Sequence, residues 1–215
     1  DTFAKNFFML YIATKQANGG QALSQAQISN LVEQSINKLS EGISPAPDFK
    51  SKSDIKISGA GPDALLSYAI QAEDVFKIHG TQLPKSEMQY LQDAVQNNDA
   101  SAPDTIGKIA TAYREVATGL SVLEVPEELS GTHLILINAL ARLGQISSDF
   151  SRVNTDPITA MLSLKQYMPA ITALAQAFKD IASVYASEEV ILPEGTSGAS
   201  FVNVINNVKT TVKQP

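Results

Sequence analysis

Apolar residues recur at every third or fourth position along most of the chain, which is the spacing of helices that bury one face. The pattern predicts an all-α fold: a bundle of about seven helices with a long central pair and at most one short β strand or hairpin. The expected helices cover residues 2–17, 24–42, 62–78, a shorter stretch from 84, 104–123, 126–150 and 156–186.

Residues at the ends of these segments suit helix termini. Asn18-Gly19-Gly20 favours the positive φ of a helix C-terminus, and Ser24 with Gln27 has the spacing of a capping box. The later helices are expected to begin at Pro62, at Pro84, at the cap Asp104, at Pro126, and at the cap Thr155 followed by Asp156 and Pro157.

The two longest helices, 126–150 and 156–186, form the predicted central pair. The run 134–137 is apolar all round, which indicates a helix in the middle of the bundle. Pro169 is expected to kink the second helix because it cannot donate to the Lys165 carbonyl. The buried stripe of that helix is expected to contain Met161, Leu164, Met168, Ile171, Leu174, Phe178, Ile181 and Tyr185. Expected burial on the two helices from 62 and 84 includes Leu65, Leu66, Ala69, Ile70, Phe76, Met88, Leu91 and Val95.

A chain of 215 residues is long enough for one sizeable core, so the sequence predicts a single helical domain, 1–215. The segment 43–60 contains Pro45 and Pro47 and is expected to be a long loop. The segment 187–215 is expected to be a C-terminal extension whose apolar residues fit either a helix or an extended strand.

Charge excludes some partners. The chain has a net charge of -6, with only 18% charged residues and no basic stripe. An acidic surface repels phosphate backbones, so nucleic acid is not expected as a partner, and neither is an anionic membrane surface. A protein partner is expected instead.

The chain contains no cysteine, which excludes disulfides, thiolate metal sites and a cysteine nucleophile but does not assign a compartment. It begins at Asp1 without an initiator Met, which suggests processing. No apolar run is long enough to span a membrane. The expected location is extracytoplasmic, either periplasmic or at the cell surface, with secretion or membrane attachment through a removed N-terminal signal or anchor.

The first helix is rich in aromatic residues, namely Phe3, Phe7, Phe8 and Tyr11. These residues either pack on the bundle or belong to the stub of a longer helix that leaves a membrane or enters a filament core. The sequence leaves both alternatives open.

Gly59-x-Gly61-x-x-Ala64 superficially matches a dinucleotide-binding turn, in which glycines let a pyrophosphate approach a helix N-terminus. The full motif needs a second parallel strand about 20 residues later, and here another helix is predicted. A turn that leads into a capped helix is the expected structure, and no cofactor is expected.

His133 lies in an apolar stripe near Ser130, Thr132 and Asn138, an arrangement that allows a nucleophile and base to be imagined. Asn138 is five positions away and so lies on another face. A buried, hydrogen-bonded histidine is the expected structure. His79 is expected to complement the dipole at a helix end.

The acidic residues do not predict a metal site. The chain has no Glu-x-x-His pair, and Asp99 and Asp104 lack the spacing of a calcium loop. Solvated faces or helix N-termini are expected for the adjacent pairs Glu73-Asp74, Glu127-Glu128 and Glu188-Glu189.

Two patterns in the last third of the chain resemble uncharacterised helical envelope proteins of small-genome candidate-phylum bacteria. They are His133-x-x-x-x-Asn138, and Asp156-Pro157 followed by Ala160, Leu164 and Tyr167. The resemblance implies an ectodomain held outside the cell, and it implies no activity.

The leading hypothesis is a non-enzymatic extracytoplasmic domain that acts by protein contact, as a structural or assembly component of a bacterial envelope such as a pilus or secretion apparatus. The alternative is a carrier that binds an apolar ligand between the helices 126–150 and 156–186, where Met161 and Met168 adapt to its shape. A hydrolase centred on His133 would require an open cleft beside an Asp or Glu.

Overall fold

The computed structural model describes the backbone of residues 2–41 and 47–202 and the side chains of 7–38 and 47–202. Most of the described residues are helical, and they contain a sheet of only two strands. The predicted all-α helical bundle is therefore confirmed.

The chain divides into two compact units, Asp1–Ala46 and Pro47–Pro215, where the sequence predicts one domain. The division falls inside the predicted loop 43–60, whose residues 43–46 lie outside the described part of the chain. Most of the predicted C-terminal extension, from 203 onward, also lies outside it.

The first unit is a hairpin of two helices, α1 (Thr2–Ala17) and α2 (Gln25–Glu41). Gly19 and Gly20 both have positive φ values in the turn between them. At the start of α2 the Ser24 amide donates to Gln27 Oε1 at 2.9 Å, and the Gln27 amide donates to Ser24 Oγ at 3.3 Å. The predicted turn and capping box are both present.

The second unit contains the remaining helices and both strands. In chain order its elements are a 3₁₀ turn Lys52–Asp54, β1 (Lys56–Gly59), α3 (Pro62–His79), α4 (Glu87–Gln96), α5 (Ala102–Ser121), β2 (Glu124–Pro126), a 3₁₀ turn Glu127–Leu129, α6 (Ser130–Phe150), α7 (Pro157–Ser187) and a helical segment that begins at Ala199.

Helix α6 packs between α5 and α7, as the apolar run near its start predicts. Leu136 and Ile137 are fully buried, whereas Ile135 remains 47% exposed, so one edge of the run faces solvent. The approach to α5 is close at Gly144, where an added Cβ would lie 3.2 Å from the Ala110 carbonyl oxygen. Any larger residue at this position would push α5 and α6 apart.

Strands β1 and β2 pair in parallel, with Ile57 opposite Val125. The chain between them passes through α3, α4 and α5, so the pair is not a hairpin. The second strand could not be recognised from the sequence because Glu124-Val125-Pro126 is too short for a period-two pattern and ends in proline.

Several helices begin a few residues from their expected starts. Ser86 rather than Pro84 caps α4, and its Oγ accepts the Gln89 amide at 3.3 Å. Asp156 rather than Thr155 caps α7, through a 3.2 Å bond from the Thr159 amide. Asp104 lies in the first turn of α5 rather than at its cap. Pro126 ends β2, and α6 therefore starts at Ser130.

The predicted buried stripe of α7 is wrong in its first half. Met161, Leu164 and Met168 are exposed, and the residues buried there are small: Ala160, Ser163 and Ala170. Small side chains let α7 approach α6 closely, which turns the larger apolar residues outward. Helix α7 continues through Pro169 without interruption. Of the residues expected to be buried on α3 and α4, Leu66 and Val95 are also exposed.

Asn138 fastens the start of the second unit to α6. Its Nδ2 donates to the Lys50 carbonyl at 2.9 Å, and its Oδ1 accepts the Lys50 amide at 2.9 Å. One amide side chain therefore pairs with both the backbone N–H and the backbone C=O of a residue 88 positions away, as a neighbouring strand would.

Replacing Asn138 with alanine should destabilise the protein by about 1–2 kcal/mol, since two hydrogen bonds are lost at a half-buried position. Urea unfolding measures the loss, and faster amide exchange at Lys50 locates it. Asn97→Ala is the control, because Asn97 is exposed and its side chain bonds only within α4 and its cap, to Asp93. Equal stability of the two variants would contradict the role assigned to Asn138.

Candidate functional site

His133 lies in the core of the second unit with no exposed surface. Its Nδ1 is 2.8 Å from the Tyr68 hydroxyl, and the two rings pack edge to face. Neither Ser130 nor Asn138 is a partner of the ring, because Ser130 Oγ donates to the Glu127 carbonyl and Asn138 binds Lys50. Thr132 makes no described hydrogen bond with it either. The predicted buried, hydrogen-bonded histidine is confirmed.

The His133 ring is neutral at pH 7. Burial lowers the pKa of its imidazole to about 4, and the Leu120 carbonyl opposes this shift only in part. No well-aligned hydrogen bond to Nε2 is found among the described residues. Burial and the nearby Tyr185 also raise the pKa of the Tyr68 phenol. A ring closed off from solvent and paired with a phenol does not meet the geometry of a hydrolase centred on His133.

A side chain of the protein binds the backbone of the glycine-rich turn Gly59–Gly61, where a phosphate would bind in a dinucleotide site. Gly61, with a φ of 85°, is the cap of α3, and its amide donates to Glu128 Oε1 at 2.7 Å. That carboxylate takes the position that a phosphate would occupy at the helix N-terminus. The parallel partner β2 comes only after three further helices, so the spacing of a dinucleotide site is missing.

Glu73 is buried, whereas the sequence predicts a solvated face for the pair Glu73-Asp74. Its carboxylate accepts a 2.7 Å bond from the Lys77 ammonium, one from the Gly198 amide and one from Ser200. Burial alone would raise the pKa of Glu73, but the three hydrogen bonds outweigh it and lower the pKa. Glu73 therefore holds the segment after α7 against α3.

A second buried carboxylate, Asp149, links α6 to α7. It accepts the Ser163 hydroxyl at 2.6 Å, and its other oxygen accepts from Arg152 and Gln145. Nothing in the local sequence indicates the contact with Ser163, because that residue lies 14 positions away on another helix.

A third buried carboxylate, Glu87, joins three helices. It is 5% exposed and accepts the Tyr113 hydroxyl of α5 at 3.0 Å. The Tyr167 hydroxyl of α7 bonds to the same carboxylate. Among the described residues no Lys, Arg or His nitrogen lies within 4.0 Å of it. Burial and the Glu87 charge raise the pKa of both tyrosines.

The remaining candidate residues are scattered. His79 at the end of α3 lies 3.5 Å from Glu115, and Asp99 accepts bonds from Ser101. Glu188 and Glu189 follow α7 and are exposed. Within 47–202 and the described part of the hairpin, no group of three or more His, Asp or Glu side chains could hold a metal ion.

Exposed large apolar side chains occur on both units, Ile78, Val122 and Ile191 among them, and two groups lie close together along a helix or hairpin. On the hairpin these are Phe8, Met9, Ile12 and Ile28. Phe7 stacks on Tyr11 with ring centroids 6.4 Å apart. Phe3 is not among the residues whose side chains the structure describes. On α7 the exposed residues are Ile158, Met161, Leu164 and Met168.

Two adjoining clefts lie beside Phe76, with volumes of about 240 and 520 Å³. Both are also lined by Gly80 and Thr81 in the loop between α3 and α4. They do not lie at the expected ligand site between α6 and α7, where Met161 and Met168 point outward.

No match was found among protein-family models, curated proteins or solved structures. None of the helices in the described residues has the length and apolar character needed to cross a bilayer. The resemblance to envelope proteins stays a prediction.

The stability of the protein should fall as the pH drops from 6.5 towards 4. In the unfolded chain His133 takes up a proton near its ordinary pKa of about 6.5, whereas in the folded protein its pKa is about 4. Between pH 6.5 and pH 4 the unfolded state therefore binds more protons than the folded state. The neutral ring contributes fully to the free energy of unfolding above pH 6.5, and this contribution decreases by about 1.4 kcal/mol for each pH unit below it.

Urea unfolding between about pH 7 and pH 5 measures this dependence, with His133→Gln as the comparison. The variant keeps His79 and every carboxylate, so its stability should vary less with pH than that of the wild type. Parallel curves for the two proteins would show that His133 has the same pKa in the folded and unfolded states, which would contradict its burial as a neutral ring.

Proposed function

We propose that this protein is a non-enzymatic helical component of a bacterial cell envelope that acts by protein contact through its α1–α2 hairpin. The observation that carries the proposal is a contrast between buried and exposed residues. Among the described hairpin side chains, 7–38, only Leu31 and Ser35 are buried, while Phe8 and Met9 are 63% and 54% exposed.

A hairpin of two helices has no layer to cover its outer apolar face. Phe8 and Ile12 are four positions apart, so their side chains share one side of α1, and Ile28 adds an exposed apolar residue on α2. Apolar surface of this kind is stabilised when further helices cover it, as in a four-helix bundle.

The occupant we propose is the hairpin of a second copy. Charge supports this choice, because α1 contains two lysines and no acidic residue, whereas α2 contains two glutamates and one lysine. A two-fold pair in which the α1 of one copy faces the α2 of the other places opposite net charges together.

The expected complex is reversible. Covering the exposed part of four large side chains on each copy contributes on the order of 20 kcal/mol, of which association and side-chain ordering cost about 12 kcal/mol. A dimer with a micromolar dissociation constant follows, which suits a part that assembles with its neighbours.

Sedimentation equilibrium over the micromolar range should show the wild type as a concentration-dependent dimer, and Met9→Glu should be a monomer. Met168→Glu is the matched control, since Met168 on α7 is 63% exposed. It should dimerise like the wild type, while circular dichroism confirms that each variant is helical.

Three outcomes would contradict hairpin pairing. The first is a wild type that stays monomeric at every concentration. The second is that Met168→Glu, and not Met9→Glu, dissociates the dimer. The third is a monomeric wild type that binds and floats with phospholipid vesicles, while Met9→Glu does not. The last outcome would assign the apolar face of α1 to a membrane surface.

The extracytoplasmic location is a separate part of the proposal. It is supported by a surface with few charges, since charged residues make up 18% of the chain. Fractionation of native cells should recover the protein from the envelope or the secreted fraction. Recovery from the cytoplasm alone would exclude an envelope role, whatever the oligomeric state.

A further inference from the structure

The smaller of the two clefts beside Phe76 combines an apolar wall with a buried carboxylate. It has a volume of about 240 Å³ and lies between α5 and the loop after α3. Its apolar lining includes Phe76, Leu83, Ile109, Ala112, Val116 and Leu140. Glu87, Lys85 and Tyr113 also line it.

Glu87, the first residue of α4, brings to this cleft a carboxylate that forms no ion pair with any described residue. Its carboxylate is 5% exposed, and its known partners, the hydroxyls of Tyr113 and Tyr167, are neutral. A carboxylate has about four acceptor positions, so two hydroxyl donors leave room for another donor. Burying a charge without an opposite charge is costly, so a cation next to Glu87 would be strongly favoured.

Among the described residues that line the cleft, the one cation is already paired. Lys85 Nζ lies 2.7 Å from Asp93 Oδ2 and 5.8 Å from the centre of the Tyr90 ring. With Lys85 neutralised by Asp93, the cleft keeps the charge of Glu87, which disfavours an anionic ligand.

We infer that this cleft binds a small apolar primary amine, with the ammonium group beside Glu87 and the hydrocarbon body against Phe76 and Val116. The volume limits the ligand to a compact molecule. A longer body reaches past Phe76 into the adjoining cleft of about 520 Å³, where Phe178 and Phe201 continue the apolar lining. This binding does not depend on pairing of the hairpins.

The probe is 2-phenylethylamine, titrated into the ¹⁵N-labelled full chain while the amide signals of Gly80 and Thr81 are followed. The neutral comparator is 2-phenylethanol, which has the same ring and reach but no charge. A charge-assisted hydrogen bond to Glu87 should make the amine bind about ten to a hundred times more tightly than the alcohol.

Two variants separate charge from shape. Glu87→Gln keeps an acceptor for the tyrosine hydroxyls but removes the charge, so it should weaken amine binding at least about tenfold. Ala112→Phe fills the cleft and leaves Glu87 in place, so it should abolish binding. Ala186→Phe, an equal enlargement at an exposed position on α7 outside both clefts, should bind like the wild type.

The inference is wrong if the amine leaves Gly80 and Thr81 unshifted, if the alcohol binds as tightly as the amine, or if Ala112→Phe retains full affinity. Unchanged affinity in a folded Glu87→Gln protein would also overturn it. If Glu87→Gln fails to fold, the comparison of amine with alcohol on the wild type still decides whether charge is recognised.

Discussion

The structure of the larger unit depends on one constraint: α6 is covered on two sides, and three polar side chains along it are held by partners from other elements. His133 bonds to Tyr68 of α3, Asn138 bonds to the backbone of Lys50, and Asp149 bonds to Ser163 of α7. An unpaired polar group inside a core costs more than a hydrogen bond contributes. Rotation or sliding of α6 would break all three pairs together, so they select one register among many that the apolar stripe alone would permit.

Close packing around α6 explains why part of α7 faces outward. The residues of α7 buried near Asp149 are small, with Ala160 and Ala170 on either side of Ser163. Close approach brings the Ser163 hydroxyl within 2.6 Å of Asp149, and it leaves no room for a side chain such as Met168 between the helices. The same geometry recurs between α5 and α6, where Gly144 lies against Ala110. Small residues therefore decide the helix spacing, and the exposed methionines follow from it.

Local signals predicted most of the helices, because periodicity and capping act within one or two turns. The range of α1 and the Ser24 cap of α2 were both readable in this way. Strand β2 was not, since three residues have no period, and its partner lies about 68 positions away, from Lys56 to Glu124. The burial of Glu73 was missed for the same reason, because one of its donors, Gly198, is 125 residues distant. Long-range pairs of this kind leave no trace in a single sequence.

The two units differ in their buried polar groups and in their exposed apolar side chains. In the larger unit the buried carboxylates Glu73 and Asp149 are each bonded from more than one element, and His133 is held as a neutral ring. Such groups specify a packed core, which makes them poor candidates for chemistry. The hairpin has no comparable set among its described side chains, and its large apolar residues face solvent. Carboxylates bonded from several elements favour a rigid scaffold, whereas apolar surface without a cover favours association, which is why we propose a role in protein contact.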